Sequence, residues 1–185
     1  MTRMFKIAVL AALMAPTLAQ ADEVTDTLQS ALKAYEEGDI TYTLEELEYA
    51  KQLLQAMKTA DLAKFLPDAP DGWTREVSTE MNAGLAMLGG GAGAEATYTN
   101  GSDEFTITIM ANNPMVGALS GMLSNAALMG MKLERVGRMK YLNQDGELSG
   151  IVDGRILIQA DGADVDVMIP VLETIDARAL EDFGR

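Results

Sequence analysis

Methionines are the side chains whose number and spacing come nearest to a chemical pattern in this chain, which contains 13 of them. Met115, Met122 and Met129 recur at intervals of seven residues, and thioether sulphurs are good ligands for Cu(I). Methionine copper sites group their ligands within a few residues, however, whereas these three are spread along a whole predicted helix. The spacing therefore predicts apolar packing or an adaptable apolar contact surface, and no metal site.

Acidic residues form a second pattern, but it does not have the ligands of a metal site. Asp161, Asp164 and Asp166 lie close together in the sequence, but a calcium ion takes about six to eight oxygen ligands in a set order. Turn formation accounts for these residues, and the sequence again predicts no metal.

A glycine-rich loop at Gly89, Gly90 and Gly91 is the third pattern. It lacks the Lys-Ser/Thr pair that completes a phosphate-binding loop, and it does not join a strand to a helix as a dinucleotide loop does. We therefore predict no cofactor, and we interpret the loop as flexible and as the best place for a lid.

Histidine and cysteine are both absent from the 185 residues. Without them the chain has no thiol nucleophile, no thiolate ligand and no histidine general base. An enzyme would have to work with carboxylates, Lys, Tyr or Ser, and no such set is marked out in the sequence. We therefore expect a protein that is not an enzyme.

The N-terminus has the three parts of a secretory signal peptide. Arg3 and Lys6 precede an uncharged apolar stretch over 7–18, and the small residues Ala19 and Ala21 follow it. The apolar stretch is shorter than the roughly 20 residues that span a membrane, although an uncleaved anchor is the alternative. The sequence thus predicts cleavage after Ala21 and export to the periplasm.

Charge narrows the classes of partner. The exported chain would carry 28 acidic and 12 basic residues, since two of the 14 basic residues lie in the signal peptide, and its formal charge would be −16. Such a surface repels phosphate backbones, so nucleic-acid binding is not expected. It also repels anionic lipid headgroups, so membrane contact is not expected.

Residues 22–66 have the periodicity of two helices. Gly38-Asp39 ends the first helix, and Thr43 to Glu46 has the capping-box pattern that begins a second. The short break predicts an antiparallel αα-hairpin. Its apolar stripes are Val24, Leu28, Ala31, Leu32 and Tyr35 on the first helix and Leu47, Ala50, Leu54 and Met57 on the second.

The hairpin resembles one tetratricopeptide unit, through a Tyr-x-x-Gly-Asp turn at Tyr35 to Asp39 and a later Tyr49-Ala50. No second copy follows, and a stack of such units needs about three repeats. We expect the single hairpin to pack on its own domain or to pair with another hairpin.

The segment from Pro67 to Trp73 is the expected domain boundary, because its two prolines and one glycine cannot continue a helix. We expect Trp73 to be a core anchor. After it, alternating patterns and Asn-Gly or Asp-Gly turns predict strands. Asn113-Pro114 opens a helix. The predicted strands cover 73–80, 94–99, 105–111, 133–142, 147–152 and 155–160, and the helix runs to about 131.

The segment 164–175 allows two structures. Val165, Val167 and Ile169 alternate as in a strand, whereas Val165, Met168, Leu172 and Ile175 follow a helical period, which we prefer. The whole pattern predicts an α+β fold, with the hairpin over 22–66 followed over 67–185 by an antiparallel sheet domain. Its elements would run β-β-β-α-β-β-β-α, with the helices packed on one face of the sheet.

Several motifs after residue 66 resemble those of a group of exported bacterial proteins. They are a Leu-Pro-x-x-Pro-x-Gly-Trp opening at Leu66 to Trp73, a Met-x-Gly-Gly-Gly loop ending at Gly91, Tyr98, Asn113-Pro114 and Ile175-Asp176. The resemblance implies export and this fold, and it implies no chemistry.

The uncharged stretch over 105–131 includes the helix with Met115, Leu119, Met122 and Met129. This helix could be buried against the sheet, could present a docking face, or could contact a membrane. We expect a non-catalytic periplasmic binding or assembly module that contacts a protein partner or itself. The alternative is a carrier of a small apolar or lipid-like ligand between the sheet and this helix.

Overall fold

A computed structural model of the chain describes residues 17–87, 90–126 and 129–185. The signal-peptide prediction falls mainly outside these residues. The architecture is α+β, as the sequence predicts, with a helix pair followed by a seven-stranded antiparallel sheet and further helices. The helices are α1 Thr17–Glu37, α2 Ile40–Ala63, α3 Met81–Met87, α4 Pro114–Asn125, α5 Val165–Leu172 and α6 Ala177–Glu181. The strands are β1 Thr74–Ser78, β2 Ala92–Thr99, β3 Glu104–Ala111, β4 Lys132–Val136, β5 Met139–Gln144, β6 Glu147–Val152 and β7 Ile156–Asp161.

The chain divides into two compact units, Met1–Leu54 and Gln55–Arg185. The sequence places the boundary after residue 66 instead. The division comes earlier because Leu62 and Leu66 are buried in the core of the second unit, so that the last turns of α2 count with the sheet.

The hairpin of the first unit turns at Gly38, whose φ of +84° is in the left-handed region that glycine tolerates. Its second helix begins earlier than the capping box at Thr43 predicts. Asp39 precedes α2, and its Oδ1 accepts a hydrogen bond from the Tyr42 backbone N–H (3.0 Å). Thr43 is buried and donates to the Asp39 carbonyl, because the chain is already helical there.

The sheet of the second unit has the strand order β1-β2-β3-β7-β6-β5-β4, and all neighbouring strands are antiparallel. Three predicted turns are present, after Asn100, at Asp145-Gly146 and at Asp153-Gly154. The stretch predicted as one strand over 133–142 is two strands, β4 and β5. Gly137, at φ +57°, makes the extra turn between them. The sequence pattern does not show this turn, because apolar residues alternate on both sides of it.

Helices cover both faces of the sheet, and the expectation that they pack on one face is wrong. The reason is in the central strands, where side chains alternate between faces and some are large and apolar on each side. The first face packs with α5 and α6 and includes Phe105, Ile107, Ile109, Ile156, Ile158, Met168, Leu172 and Leu180. The second face packs with α3 and α4 and includes Leu85, Met110, Val116 and Leu157.

Trp73 anchors the start of the sheet domain, as the sequence predicts. The centroid of its ring lies 5.0 Å from that of Phe105, edge to face. The Tyr98 ring stacks on the same phenylalanine, with the ring centroids 4.7 Å apart. The Tyr98 hydroxyl donates to the carbonyl of Pro67 (2.7 Å). The aromatic cluster therefore fixes the proline segment to the first face of the sheet, and burial raises the pKa of Tyr98 to about 12.

The stretch before β2, for which the sequence pattern predicts no element, contains the short helix α3. The Asn82 amide holds it in place, since Nδ2 donates to the Gly93 carbonyl (2.7 Å) and Oδ1 accepts from the Gly93 N–H (2.8 Å). Oδ1 also accepts from the buried Thr59 hydroxyl (3.1 Å). At the other end of the chain, the preferred helix over 164–175 is confirmed as α5, which accommodates Pro170.

Candidate functional site

Helix α4 carries three of the four residues predicted to form an apolar docking or ligand face. Met115 is 49% exposed, while Leu119 and Met122 are half-buried. Val116 is fully buried against the second face of the sheet. The helix thus presents a narrow apolar edge instead of a broad free face.

Met129, the fourth predicted residue, does not lie on that helix. Helix α4 ends at Asn125, where the N–H of Ala126 bonds to the Leu123 carbonyl, and Gly130 adopts a φ of +70°. Met129 is 62% exposed in the turn between them. The seven-residue methionine spacing therefore does not make one continuous stripe, because the left-handed glycine stops the helix before the stripe is complete.

The space beneath α4 is almost filled. Leu119, Met122, Leu142, Ile151 and Leu157 are among the residues around a space of about 10 Å³, which is room for about one water molecule. Ligand pockets have volumes of roughly 300–1,000 Å³. Next to this space, an open cleft of about 420 Å³ lies between α4 and the sheet, lined by Ser120, Leu123, Leu133, Arg138, Lys140, Ile151 and Gly154. The closed apolar space under α4 is too small for a ligand, but this cleft is within the ligand-pocket range, and the carrier alternative stays a prediction.

Part of the glycine loop is held by a hydrogen bond and by a close backbone contact. Gly89 lies outside the described residues. The Asn113 side chain, which caps α4, donates to the Gly90 carbonyl (2.6 Å). Gly91 has a φ of +117°, and a Cβ there would lie 2.9 Å from the Ala111 carbonyl oxygen. The lid role stays a prediction, but Gly91 already serves a close approach of two backbones.

Acidic residues do not converge on a site. Among the described residues, no group of three or more carboxylates could hold a metal ion. Burial raises the pKa of Asp161, and the charge of Glu147 adds to the effect. Glu147 itself accepts a hydrogen bond from Gln159 (2.7 Å).

The described helices also include none that is long and apolar enough to cross a membrane.

A cleft of about 770 Å³ lies beside the proline segment and the end of α5. Arg75 Nη1 lies 3.2 Å from Asp68 Oδ1, and Lys64 Nζ lies 2.7 Å from Asp61 Oδ1. Asp176 accepts from two backbone N–H groups of α6. The Arg75–Asp68 pair joins β1 to the proline segment, while Arg75 Nε is buried and has no hydrogen-bond partner.

The helical hairpin carries the most unusual surface. Seven large apolar side chains of the two helices are 44–63% exposed. Together they are named here the apolar hairpin face: Leu28, Leu32, Tyr35, Ile40, Leu44, Leu47 and Leu54. Contiguous exposed apolar groups of this kind mark contact sites on soluble proteins.

Small residues at the helix–helix contact are the cause of this exposure. On α1 the buried positions are Val24, Thr27, Ala31 and Ala34, and on α2 Thr43 and Ala50 are buried. Short side chains thus occupy the covered positions of both helices. The larger side chains therefore lie beside the contact, and no described residue of the hairpin covers them.

Helical geometry puts the seven side chains on one face of the hairpin. Successive residues turn by about 100° around a helix axis. From the buried stripe of each helix, the large apolar residues lie about 30–120° round in the same sense. In antiparallel helices, equal senses of rotation from the contact lead to the same face of the pair, so the two apolar stripes are neighbours.

Hydrogen bonds on the opposite face confirm this arrangement. The Tyr49 hydroxyl donates to Glu23 Oε1 (2.6 Å), and Ser30 Oγ lies 3.5 Å from the Tyr42 hydroxyl. All four residues lie on the other side of the buried stripes. The bond to Glu23 and the charge of that carboxylate raise the pKa of Tyr49. The hairpin thus has one polar face, where hydrogen bonds join the two helices, and one apolar face.

Sequence reasoning grouped Leu28, Leu32 and Tyr35 with Val24 and Ala31 in one apolar stripe. The structure separates them by size, with the small residues inside and the large ones outside. The signal that could have shown this is the alanine pair Ala31 and Ala34 at helical spacing, which marks a close helix contact.

Comparison of the chain with family models, with curated proteins and with solved structures gave no match. The function is therefore inferred from the surface chemistry of the two units.

Proposed function

We propose that this chain is a non-catalytic binding module of the periplasm that contacts a protein partner through the apolar hairpin face. One observation carries the proposal: seven large apolar side chains lie on one face of a two-helix unit and are exposed. Fully covering a side chain of this size stabilises a contact by about 1.5–3 kcal/mol. A soluble protein keeps such a face for a partner.

Other features agree with binding and with the periplasm. The chain has no histidine and no cysteine, and several of its charged groups in the described part are engaged in ion pairs. The charge, apolar stretch and small residues at the N-terminus favour export, with cleavage after Ala21. Export is tested by N-terminal sequencing of chain from the periplasmic fraction. The expected first residue is Asp22, and retention of the whole chain in the cytoplasm would contradict export.

Site-specific photocrosslinking in cells that make the protein naturally tests the contact. A benzophenone side chain is placed at Leu44, on the apolar hairpin face, and in a matched variant at Glu45, which is about 100° round the same helix. We expect a discrete protein adduct from position 44 and none from position 45. No adduct at either position, or equal adducts at both, would contradict the proposal.

A further inference from the structure

We propose that the partner surface is a basic amphipathic α-helix that lies along the apolar hairpin face. This inference rests on the proposed function and specifies the chemistry of its partner. Two observations carry it, namely the shape of the apolar face and the charge that surrounds it.

The shape of the face suits a helix. From Ile40 to Leu54 the α2 stripe is about 21 Å long at 1.5 Å per residue, and the α1 stripe from Leu28 to Tyr35 lies beside it. A third helix packs about 8–10 Å from each of two neighbours and fills the groove between them. About 14 residues would cover the length, with apolar side chains at the i, i+3, i+4 and i+7 positions typical of helices that bind in grooves.

The charge of the hairpin selects a basic partner. Residues 22–54 hold nine acidic and two basic side chains, a formal charge of −7. Both lysines already pair with glutamates of their own helices, Lys33 with Glu37 (3.9 Å) and Lys51 with Glu48 (3.2 Å). The excess is therefore entirely acidic, and it attracts a cationic segment over a distance of about 8–10 Å at ordinary salt.

Acidic side chains also lie at the edge of the face itself. Glu36 follows Leu32 by four residues, so it is a neighbour of that apolar side chain on its own helix. Glu48 follows Leu44 by four residues and pairs with Lys51, which lies within the α2 stripe four residues after Leu47. Lysine or arginine on the flank of a docked helix would lie beside Glu36. A second copy of the hairpin would instead bring two hairpins of charge −7 each together, which charge repulsion opposes.

Calorimetric titration with synthetic peptides tests the inference on the exported chain. The probe is a 14-residue peptide of leucine and lysine with leucines at helix-groove spacing. One control peptide has the same composition in an order that scatters the leucines, and another has glutamate in place of lysine. We expect the amphipathic basic peptide to bind at least tenfold more tightly than either control, and more weakly as salt rises.

Two matched variants separate apolar contact from simple charge attraction. Leu44→Glu places a negative charge on the face, and Gln52→Glu places the same charge on the other side of α2. If charge alone held the peptide, both variants would bind it more tightly. We expect Leu44→Glu to weaken binding at least tenfold and Gln52→Glu to change it by less than twofold. Leu32→Glu repeats the test on α1, and circular dichroism checks that each variant is folded.

Each other outcome overturns the inference. Equal binding of the scattered basic peptide would reduce the interaction to net charge, and equal binding of the glutamate peptide would show that charge plays no part. A dimer in sedimentation that Leu44→Glu dissociates would make a second copy the occupant, and binding of anionic vesicles through Leu44 would make it a membrane. If crosslinks form at position 44 while the basic peptide fails to bind, the inference fails and the proposed function stands. If neither occurs, both fail.

Discussion

The two units of this chain use apolar side chains in opposite ways. In the sheet unit the large residues Phe105, Ile107 and Ile109 are at most 1% exposed. In the hairpin unit alanines occupy the covered positions and leucines the exposed ones. The hairpin has charge −7 in 33 residues, whereas the 131 residues from 55 onward have 19 acidic and ten basic side chains, a charge of −9.

This difference assigns separate tasks to the two units. A sheet with helices on both faces covers most of its large apolar residues, with Met87, Met115 and Met129 among the exceptions. The pair of helices leaves its large apolar residues exposed and carries a formal charge of −7. Under the proposed function, stability and binding depend on different residues, and substitutions can separate them.

The largest effect is expected in the sheet core. Phe105→Ala removes a buried ring that contacts both Trp73 and Tyr98. We expect it to lower the free energy of unfolding by about 3–5 kcal/mol, measured by urea denaturation with Trp73 fluorescence and circular dichroism. A loss below about 1 kcal/mol would break the comparison, because the sheet core would then not depend on its largest side chains.

Overpacking the helix contact of the hairpin comes next. Ala31→Leu adds three carbons at a position only 3% exposed and forces the helices apart. We expect a loss of about 1–3 kcal/mol, seen as a lower thermal midpoint in circular dichroism. Gln52→Leu, which adds a leucine at an exposed position of α2, is the control and should have little effect. Equal effects of the two variants would show that the contact is not built on small residues.

Removing the hydroxyl of Tyr98 sharpens the account of the proline segment. Tyr98→Phe abolishes the hydrogen bond to the Pro67 carbonyl, and we expect a loss of about 1–2 kcal/mol at neutral pH. Tyr35→Phe, at an exposed hairpin position, is the matched control and should cost nothing measurable.

The same pair of variants gives a pH test. Burial raises the pKa of Tyr98 to about 12, above the ordinary value near 10 that applies to the unfolded chain. The contribution of this proton to stability is therefore complete below about pH 10 and is lost as the pH rises through about 12. Denaturation between these pH values should show a steeper loss for the wild type and Tyr35→Phe than for Tyr98→Phe. Parallel curves would contradict the assignment.

The smallest effect is expected on the apolar hairpin face. Leu44→Ala should change the free energy of unfolding by no more than about 0.5 kcal/mol, because its side chain is 62% exposed. Leu62→Ala, on the same helix but fully buried in the sheet core, should cost about 2–5 kcal/mol. Thermal and urea denaturation of this pair would break the comparison if the two leucines contributed equally.

Much of the fold follows from local sequence patterns. The helix pair, the Asn-Gly and Asp-Gly turns and the α+β class are set by residues near one another in the chain. The turn at Gly137 was missed because alternation continued on both sides of it, and α3 was missed because an uncharged run of small residues has no marked period. The lid at Gly89 and the periplasmic location stay predictions from the sequence.

The candidate site was visible only in part. The sequence singled out Met115, Met122 and Met129 because their spacing is conspicuous, but the end of α4 at Asn125 separates the last from the others. It also found the helical stripes that contain Leu28, Leu32 and Leu47, but it did not separate their exposed residues from their buried ones. Neither shortfall concerns residue type, and both concern what lies next to a residue in space.

By itself, the sequence determined which side chains share a face of a helix or strand, since that depends only on the repeat of the backbone. It also determined the chemistry that is absent, because a chain without histidine and cysteine cannot use them. Only the tertiary structure decided which faces are covered. Coverage depends on what packs against an element in space, and in the hairpin small residues such as Ala31 and Ala50 take the covered positions and leave the apolar hairpin face exposed.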